Sequence, residues 1–328
     1  MSVAQGRRFR VVEWNVENLF DTVHDAGFED REFLPDGAYG WTSGRFFSKL
    51  SIVARTLAAL GGTTPADLIA LCEVENDSVL TALTRRSLLA RLGYEYVMTR
   101  SADPRGIDVA LLYQPLAFRP YSSRSLRVPV NPRSGHPSRD VLFVSGETVA
   151  GDTLHVFVCH LPSRRGGRRA SEPYRMQCAG VIRAAVDSLL QTDSCAKIII
   201  AGDFNDEPHN ACIKTTLGAS VPPDSGAIGT LAAMYVLTAG LEAPGGVRGT
   251  YKYRGVWNRL DNILVSGALL RSREGLHTTA VGCAIQALPH LVEPDGGNGD
   301  VKLRRTFLGR YWHGGASDHL PLILDLCY

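Results

Sequence analysis

The stretch Lys197-Ile198-Ile199-Ile200-Ala201-Gly202-Asp203-Phe204-Asn205 joins an apolar run to a compact polar cluster. Its first five residues are typical of a buried β-strand, and the polar residues follow where that strand ends. The same order recurs along the chain, because Asn15, Glu73 and His160 each follow an apolar run. Strands that repeatedly end in polar side chains indicate an α/β protein whose site lies at one edge of a sheet.

Short apolar runs alternate with amphipathic segments over most of the length. Apolar residues recur at helical spacing in 46–60, 80–89 and 182–190, with Asp77 as the predicted cap of the second helix. Helices at either end, with groups of strands between them, predict helices that cover a pair of packed sheets. The predicted strands are residues 9–14, 68–72, 94–99, 108–113, 141–144, 154–159, 197–201, 262–265 and 320–326.

The chain shows no internal repeat and no convincing linker. Two glycine- and proline-rich stretches, 218–229 and 293–300, are typical of surface loops. Neither is long enough to separate two domains, so we expect a single domain over residues 1–328.

Composition narrows the class of protein. A hydrophobic fraction of 45% and a charged fraction of 21% are those of a soluble globular protein, and no apolar run approaches the ~18 residues of a membrane span. The net charge is +2, so any basic surface for nucleic acid must be local. Residues 1–10 lack the apolar core of a signal peptide, which favours a cytoplasmic protein and leaves a secreted one open if the chain was trimmed. We expect a monomer.

The polar residues beside the apolar runs are expected to meet at one rim. Strands that leave a rim and antiparallel strands that return from it bring both ends of such runs together. The positions are Asn15, Glu73, His160 and Asp203 at the ends of runs, and Asp261, Asp318 and His319 at the starts of runs.

The residue types at this rim suit metal-assisted chemistry. Glu73, Asp318 and Asn15 offer hard oxygen ligands without cysteine, which favours Mg²⁺ over zinc and leaves Mn²⁺ or Ca²⁺ as alternatives. His319 could meet a phosphate as imidazolium or act as a base, with Asp261 as its carboxylate partner. Asp203 and Asn205 are placed to orient an attacking water.

Six segments together resemble the endonuclease/exonuclease/phosphatase family, which includes pancreatic deoxyribonuclease, abasic-site endonucleases, bacterial sphingomyelinases and inositol-polyphosphate phosphatases. They occur in the family's order and span nearly the whole chain. The segments are Trp14-Asn15-Val16-Glu17-Asn18, Cys72-Glu73-Val74-Glu75-Asn76, His160-Leu161-Pro162-Ser163, Gly202-Asp203-Phe204-Asn205, Arg259-Leu260-Asp261 and Ser317-Asp318-His319.

The resemblance implies a four-layer α/β/β/α sandwich and metal-dependent phosphoester hydrolysis. It implies metal binding by Glu73 with support from Asn15 and Asp318, and phosphate contact by His160 and Arg105. It implies water positioning by Asp203 and Asn205, and a catalytic pair of His319 with Asp261; which of His319 and Asp203 removes the water proton stays open.

Two branches of the family fit less well. Abasic-site endonucleases carry Tyr-x-x-Asn where this chain has His160 and Ser163, the deoxyribonuclease arrangement. Inositol phosphatases usually read Gly-Asp-Leu-Asn-Tyr-Arg, whereas this chain continues Gly-Asp-Phe-Asn-Asp-Glu from Gly202. The finer resemblance is to bacterial members that are assigned only to the family, so it indicates a chemistry without a substrate.

An arginine-rich loop bears on the substrate. Residues 164–169 read Arg-Arg-Gly-Gly-Arg-Arg, and Arg164 and Arg165 with Ser163 are candidate phosphate contacts. Tyr253 and Trp257 could stack on a base or wall the pocket. The leading hypothesis is therefore a phosphodiesterase that cleaves nucleic acid. The alternatives are a hydrolase of small phosphate esters or phospholipid head groups, and a non-catalytic phosphate-binding module.

Overall fold

The computed structural model describes residues 7–130, 135, 137–223, 228–297 and 300–328. The first half of the chain contains β1 (Arg8–Leu19), α1 (Ser43–Gly61), β2 (Leu68–Val74), α2 (Asp77–Arg85), β3 (Glu95–Met98), β4 (Asp108–Tyr113), β5 (Phe118–Leu126), β6 (Val141–Thr148) and β7 (Thr153–His160). The second half contains α3 (Arg168–Thr192), β8 (Lys197–Asp203), β9 (Ala219–Ser220), β10 (Met234–Val236), β11 (Tyr251–Tyr253), β12 (Val256–Asn258), β13 (Asp261–Ser266), α4 (Gly267–Arg271), β14 (Cys283–Ile285), β15 (Val292–Asp295), β16 (Asp300–Leu303), β17 (Phe307–Leu308), β18 (Tyr311–Trp312) and β19 (Leu322–Cys327).

Two large mixed sheets form the centre of the molecule. One has six strands in the order β14-β19-β1-β2-β4-β3, and the other has seven in the order β5-β6-β7-β8-β13-β10-β9. Each has a parallel pair at its middle, β1 with β2 and β7 with β8, and the second sheet has a further parallel pair, β9 with β10, at its edge. Apolar side chains of α1 and α2 pack with the first sheet, and those of α3 pack with the second. This confirms the predicted α/β/β/α sandwich.

The helices follow from local sequence signals, with one correction. Thr42 caps α1 through its side chain, and Gly62 ends that helix in a left-handed conformation. The prediction that Asp77 caps α2 is wrong. Asn76 is the cap, because its extended backbone lets Oδ1 accept the N–H of Val79 at 3.0 Å, and Asp77 is the first helical residue.

Several predicted boundaries also need correction. Helix α3 begins at Arg168, directly after Gly167, so Arg168 and Arg169 form its first turn and do not belong to the arginine loop. The strand β5 was not predicted, since it is a polar edge strand that pairs only with β6 and exposes most of its side chains. The stretches 218–229 and 293–300 contain β9 and the ends of the β15–β16 hairpin; residues 224–227 and 298–299 lie outside the described residues.

The register of the strands gathers the polar residues at one rim. In the second sheet Asp203 at the end of β8 is aligned with His160 on β7 and with Asp261 at the start of β13. In the first sheet Asn15 on β1 is paired with Cys72 on β2. Glu73 directly follows Cys72, so it lies at the same end of the sheet as Asn15. Among the described helices, none combines the length and the apolar character needed to cross a bilayer.

Candidate active site

A histidine–aspartate pair lies at the floor of a cavity of about 560 Å³, which we call the central cavity. His319 Nδ1 is 2.7 Å from Asp261 Oδ2, and both side chains are buried. The other ring nitrogen, Nε2, is 4.0 Å from Asp203 Oδ2 and 3.9 Å from Asp318 Oδ1. Because Asp261 accepts the hydrogen bond from Nδ1, the Nε2 atom of His319 can interact with a ligand in the cavity.

The carboxylates around His319 govern its protonation. Burial alone would lower the pKa of His319, but the charges of Asp261, Asp203 and Asp318 raise that pKa well above its ordinary value. These charges favour the imidazolium form of His319. In this state Nε2 donates a hydrogen bond and suits an anionic oxygen in the cavity.

Asp203 is held by the turn that follows β8. Its Oδ1 accepts the N–H of Asn205 at 2.7 Å, and its Oδ2 accepts from Asn205 Nδ2 and from Asn15 Nδ2, each at 3.1 Å. Burial and repulsion by Asp261 raise the pKa of Asp203 to about 7, against an opposing effect of His319. Asp203 can thus change its protonation near neutral pH, as a proton acceptor must.

The turn after β8 requires glycine at position 202. Its φ is +149°, and a Cβ placed there would lie 1.9 Å from the carbonyl oxygen of Cys159 on β7. Only glycine therefore allows β7 and β8 to approach so closely, and that approach brings His160 beside Asp203.

Asn15 links the two sheets at the rim. Its Nδ2 donates to Glu73 Oε1 at 3.3 Å as well as to Asp203 Oδ2, while its Oδ1 accepts the N–H of Glu17 at 2.9 Å. Glu73 Oε2 in turn accepts the N–H of Asn18 at 2.8 Å. In this arrangement the amide of Asn15 orients the Glu73 and Asp203 carboxylates toward each other.

Backbone strain is concentrated at this rim. Five non-glycine residues in the described part of the chain have positive φ, and four of them are Glu17, Asn18, Glu73 and Asn205. A left-handed glutamate costs on the order of 1 kcal/mol and persists only where its surroundings hold it. Here the hydrogen bonds to Glu73 and Asn205 supply that support.

Buried charges extend the rim beneath the first sheet. Asp318 pairs with the guanidinium of Arg305, and fully buried Lys49 donates to the carbonyl oxygen of Glu17. Burial, and then repulsion by Asp318, raises the pKa of Glu17 to about 7. Burial also lowers the pKa of Lys49 to about 8. Burial is the main cause of both shifts, and each shift favours the neutral form of its group.

The donor set fits a hard divalent cation. Glu17, Glu73 and Asp318 all present carboxylates to the central cavity, and oxygen is the ligand atom that Mg²⁺ and Ca²⁺ prefer. A second group of possible ligand atoms, in Asp203, Asp261 and His319, lies within 4.8 Å of one another. We favour the carboxylates of the first group, because all three residues line the central cavity, whereas Asp261 is fully buried and does not line it.

His160 contributes a neutral imidazole. Burial, followed by the nearby guanidinium groups of Arg139 and Arg105, lowers its pKa well below the ordinary value. Its Nε2 is 3.5 Å from Asp203 Oδ2 and 3.7 Å from Glu73 Oε1. Nδ1 is buried without a hydrogen-bond partner among the described residues. His160 can donate one hydrogen bond from Nε2 at the edge of the carboxylate cluster.

The two neighbouring arginines of the loop behave differently. Arg164 donates from Nε to Asn205 O at 2.8 Å and from Nη1 to Asn258 Oδ1 at 3.1 Å, and its Nη2 is 3.4 Å from Asp206. The guanidinium of Arg165 has no hydrogen-bond or ion-pair partner among the described residues and lines the central cavity. Arg164 therefore supports the turn that carries Asn205, while Arg165 is available to a ligand.

The remaining predicted substrate residues also line the central cavity. Arg105 is fixed by donation to Asn18 Oδ1, and Ser163 is exposed at the entrance. Tyr253 is 53% exposed there, and the guanidinium of Arg254 lies over its ring, 5.2 Å from the centroid, so at most one face of the ring is open to stacking. Trp257 instead donates to Asp300 Oδ2 at 3.3 Å, has the Lys252 ammonium over its ring and packs against the core, so it does not line the central cavity.

Several residues of the site escaped the sequence reasoning. Glu17, Lys49 and Arg305 take part in the charge network, and Arg139 donates to the carbonyl oxygen of His160 at 3.1 Å. Glu13 is fully buried with both carboxylate oxygens unpaired among the described residues, and burial and repulsion by Asp261 and Asp203 raise its pKa well above normal. Glu13 offered a signal as the acidic residue of the predicted strand 9–14, and Glu17 lies within one of the six segments that resemble the family.

Solved structures share this fold at low sequence identity. A humanized TDP2 of D. rerio has a TM-score of 0.60 and 15% identity, covering 98% of this chain and 99% of that chain. An endonuclease/exonuclease/phosphatase from Bacteroides vulgatus has a TM-score of 0.61 and 13% identity, covering 98% of both chains. A mannosyl-6-phosphatase of Bacteroides thetaiotaomicron has a TM-score of 0.59 and 15% identity, covering 98% of this chain and 100% of that one. No curated protein matches the sequence.

The family comparison agrees with the fold. The model of the Endonuclease/Exonuclease/phosphatase family matches residues 10–327, nearly the whole chain. The matched range includes both sheets and every residue of the rim. The chain belongs to the endonuclease/exonuclease/phosphatase family.

Proposed function

We propose that the protein hydrolyses phosphodiester bonds of nucleic acid with the help of a divalent cation. The observation that carries this proposal is the buried His319–Asp261 pair, whose free Nε2 faces the Asp203 carboxylate at the floor of the central cavity. Family membership supports phosphoester hydrolysis in general. The choice of a diester rests on the arginines of the cavity.

The proposed cation site consists of Glu73 and Asp318, with Glu17 added by the geometry. When bound, a divalent cation such as Mg²⁺ would neutralise phosphate charge and stabilise the leaving oxygen. The assignment of Asn15 as a further ligand stays a prediction, because its oxygen accepts the N–H of Glu17 and its nitrogen faces Glu73.

In the proposed mechanism Asp203 and Asn205 hold the attacking water and Asp203 accepts its proton. Its pKa of about 7 suits that role. His319 is held as an imidazolium by Asp261, so it donates from Nε2 to a non-bridging phosphate oxygen and stabilises the charge that develops there. His160 donates to the same phosphate from the other side of Asp203. This division of roles favours Asp203 over His319 as the base.

Three observations support nucleic acid as the substrate. Arg105 and Arg165 line the central cavity, and a guanidinium group can donate two parallel hydrogen bonds to the oxygens of one phosphate. Exposed Tyr253 lies at the same cavity and offers a face on which a base can stack. D. rerio TDP2, which shares the fold with a TM-score of 0.58, has been crystallised with a single-strand DNA product.

The second candidate is a hydrolase of small phosphate esters on the same residues. A cavity of about 560 Å³ has room for a small ester, and one structural neighbour is a mannosyl-6-phosphatase. A substrate panel in Mg²⁺ separates the candidates. It compares single-stranded DNA, plasmid DNA, RNA, bis(p-nitrophenyl) phosphate and p-nitrophenyl phosphate, with Glu73→Ala as the control. Faster turnover of the monoester than of every diester would refute the first proposal.

The family match over residues 10–327 supports the further proposal of a single domain, and we retain the proposal of a monomer. Light scattering of the purified protein at several concentrations tests the second point. A mass that rises with concentration would contradict it.

A further inference from the structure

A second cavity opens beside the central one, and we call it the side cavity. It also has a volume of about 560 Å³. Asn18, Arg105 and Arg165 line both cavities, so the two are joined along a shared wall. A substrate held at His319 could therefore extend past these three residues without leaving the protein surface.

The side cavity presents aromatic surface on a fixed frame. Phe28 packs against Gly106, where an added Cβ would lie 3.1 Å from the ring. Tyr39 stacks on buried Phe33 with 4.9 Å between ring centroids, and its ring centroid lies 4.7 Å from that of Phe307. Phe28, Phe33 and Tyr39 all line the cavity. Rings held in this way bind a flat group with little loss of their own freedom.

The charges of the side cavity suit a nucleotide better than a simple anion. The guanidinium groups of Arg31 and Arg165 are exposed and have no hydrogen-bond or ion-pair partner among the described residues. Glu29 and Glu32 line the same cavity and would repel a plain polyanion. Carboxylates accept hydrogen bonds from the amino groups of bases, whereas guanidinium groups bind phosphates.

We propose that the side cavity is the subsite for the nucleotide next to the scissile phosphate. In this arrangement Arg105 contacts the phosphate from the shared wall, Arg165 binds the following phosphate, and the base stacks beside Phe28. The inference rests on the proposed function and deepens it, because a site built in this way selects a nucleotide chain over a single phosphate ester.

Binding measurements test the subsite without relying on turnover. The protein used is the full chain carrying His319→Ala, with Mg²⁺, and the probes are inorganic phosphate, which has no base, and a fluorescent tetranucleotide of deoxyadenosine. Phe28→Ala should weaken tetranucleotide binding about tenfold, the effect of one lost base–aromatic stack. Arg31→Ala, an exposed position that leaves the fold intact, should weaken it roughly threefold or more at low salt. Neither variant should change binding of inorganic phosphate.

The control is Phe47→Ala, since Phe47 is 50% exposed on α1 and lines neither cavity. Unchanged tetranucleotide affinity in both Phe28→Ala and Arg31→Ala would overturn the subsite. An equal loss for inorganic phosphate would also overturn it, because the cavity would then not be a separate subsite.

A turnover experiment separates this inference from the proposed function. Protein with an intact His319 is assayed on bis(p-nitrophenyl) phosphate, which carries no base and no second phosphate, and Phe28→Ala should lower kcat/KM on it much less than on the tetranucleotide. If this diester and all nucleic acids resist hydrolysis while Phe28→Ala still weakens tetranucleotide binding, the proposed function fails and the subsite stands. An equal fall in kcat/KM on the small diester and on the tetranucleotide would count against the subsite.

Discussion

Without a divalent cation, the protein should be more stable near pH 5 than near pH 8. The pKa values of Glu17 and Asp203 are raised to about 7 in the folded state. The folded state therefore holds these protons more tightly than the unfolded chain does. The stability that they contribute is fully present below about pH 4 and is lost as the pH rises through about 7.

The size of this effect follows from the two shifts. At about 1.4 kcal/mol for each pKa unit, raising Glu17 from 4.5 to about 7 corresponds to about 3 kcal/mol, and raising Asp203 from 3.8 corresponds to about 4 kcal/mol. Both charges belong to one interacting cluster, so we expect a combined loss of a few kcal/mol. Free cation at a hundred times its Kd should add about 2.7 kcal/mol to the free energy of unfolding near pH 8, and much less near pH 5.

Urea unfolding followed by tryptophan fluorescence measures these differences, because Trp14 and Trp41 are fully buried. Glu17→Gln should reduce both the pH dependence and the stabilisation by Mg²⁺. Glu75→Gln is the matched control. Burial raises the pKa of Glu75 to about 9, but it lines neither cavity, so its loss should reduce the pH dependence and leave the Mg²⁺ effect intact. Stability that rises from pH 5 to pH 8 in EDTA would refute the reasoning.

Three further predictions concern single residues. Arg164→Ala should lower kcat about tenfold or more with little change in KM, because it loosens the Asn205 turn, whereas Arg165→Ala should raise KM for oligonucleotides and flatten the salt dependence of that KM. Steady-state kinetics measure both effects, with Arg164→Lys as a partial rescue. Identical effects of the two alanine variants would contradict the different roles of Arg164 and Arg165. The wild-type kcat/KM should rise with pH through about 7 or below as Asp203 loses its proton, and a profile that is flat from about pH 5 to 8 would exclude it as the base. Gly202→Ala should strongly lower the thermal unfolding temperature, because the new Cβ would clash with β7. Gly180→Ala in α3 is the control, since open space surrounds that position, and it should be neutral or stabilising by roughly 1 kcal/mol. Similar unfolding temperatures for the two variants would contradict the packing argument.

The layers and the rim could be predicted because buried strands leave a strong signal in the sequence. The central strands β1, β2 and β8 are apolar runs that end in polar side chains, and strand register then carries Asp203 next to Asp261. The edge strand β5 was missed for the opposite reason. It pairs on one side only and exposes most of its side chains, so its residues resemble those of a loop.

The fate of individual charges could not be predicted, because it depends on tertiary partners. Arg164 and Arg165 are neighbours in the sequence, yet only Arg164 meets the acceptors on Asn205 and Asn258. Lys49 lies on an amphipathic helix and would be expected in solvent, but it is fully buried beside the rim. The side cavity likewise depends on residues 28–39 folding over Arg105, for which the sequence pattern offers no signal.

The most direct test of the central claim is cleavage of a single-stranded oligonucleotide by EDTA-treated protein as Mg²⁺ is added back. We expect no turnover in EDTA, recovery on adding Mg²⁺, loss of that recovery in Glu73→Gln, and a fall of several orders of magnitude in His319→Ala. Undiminished cleavage in EDTA, or wild-type turnover by purified His319→Ala, would contradict the claim that this rim is a metal-dependent phosphodiesterase site.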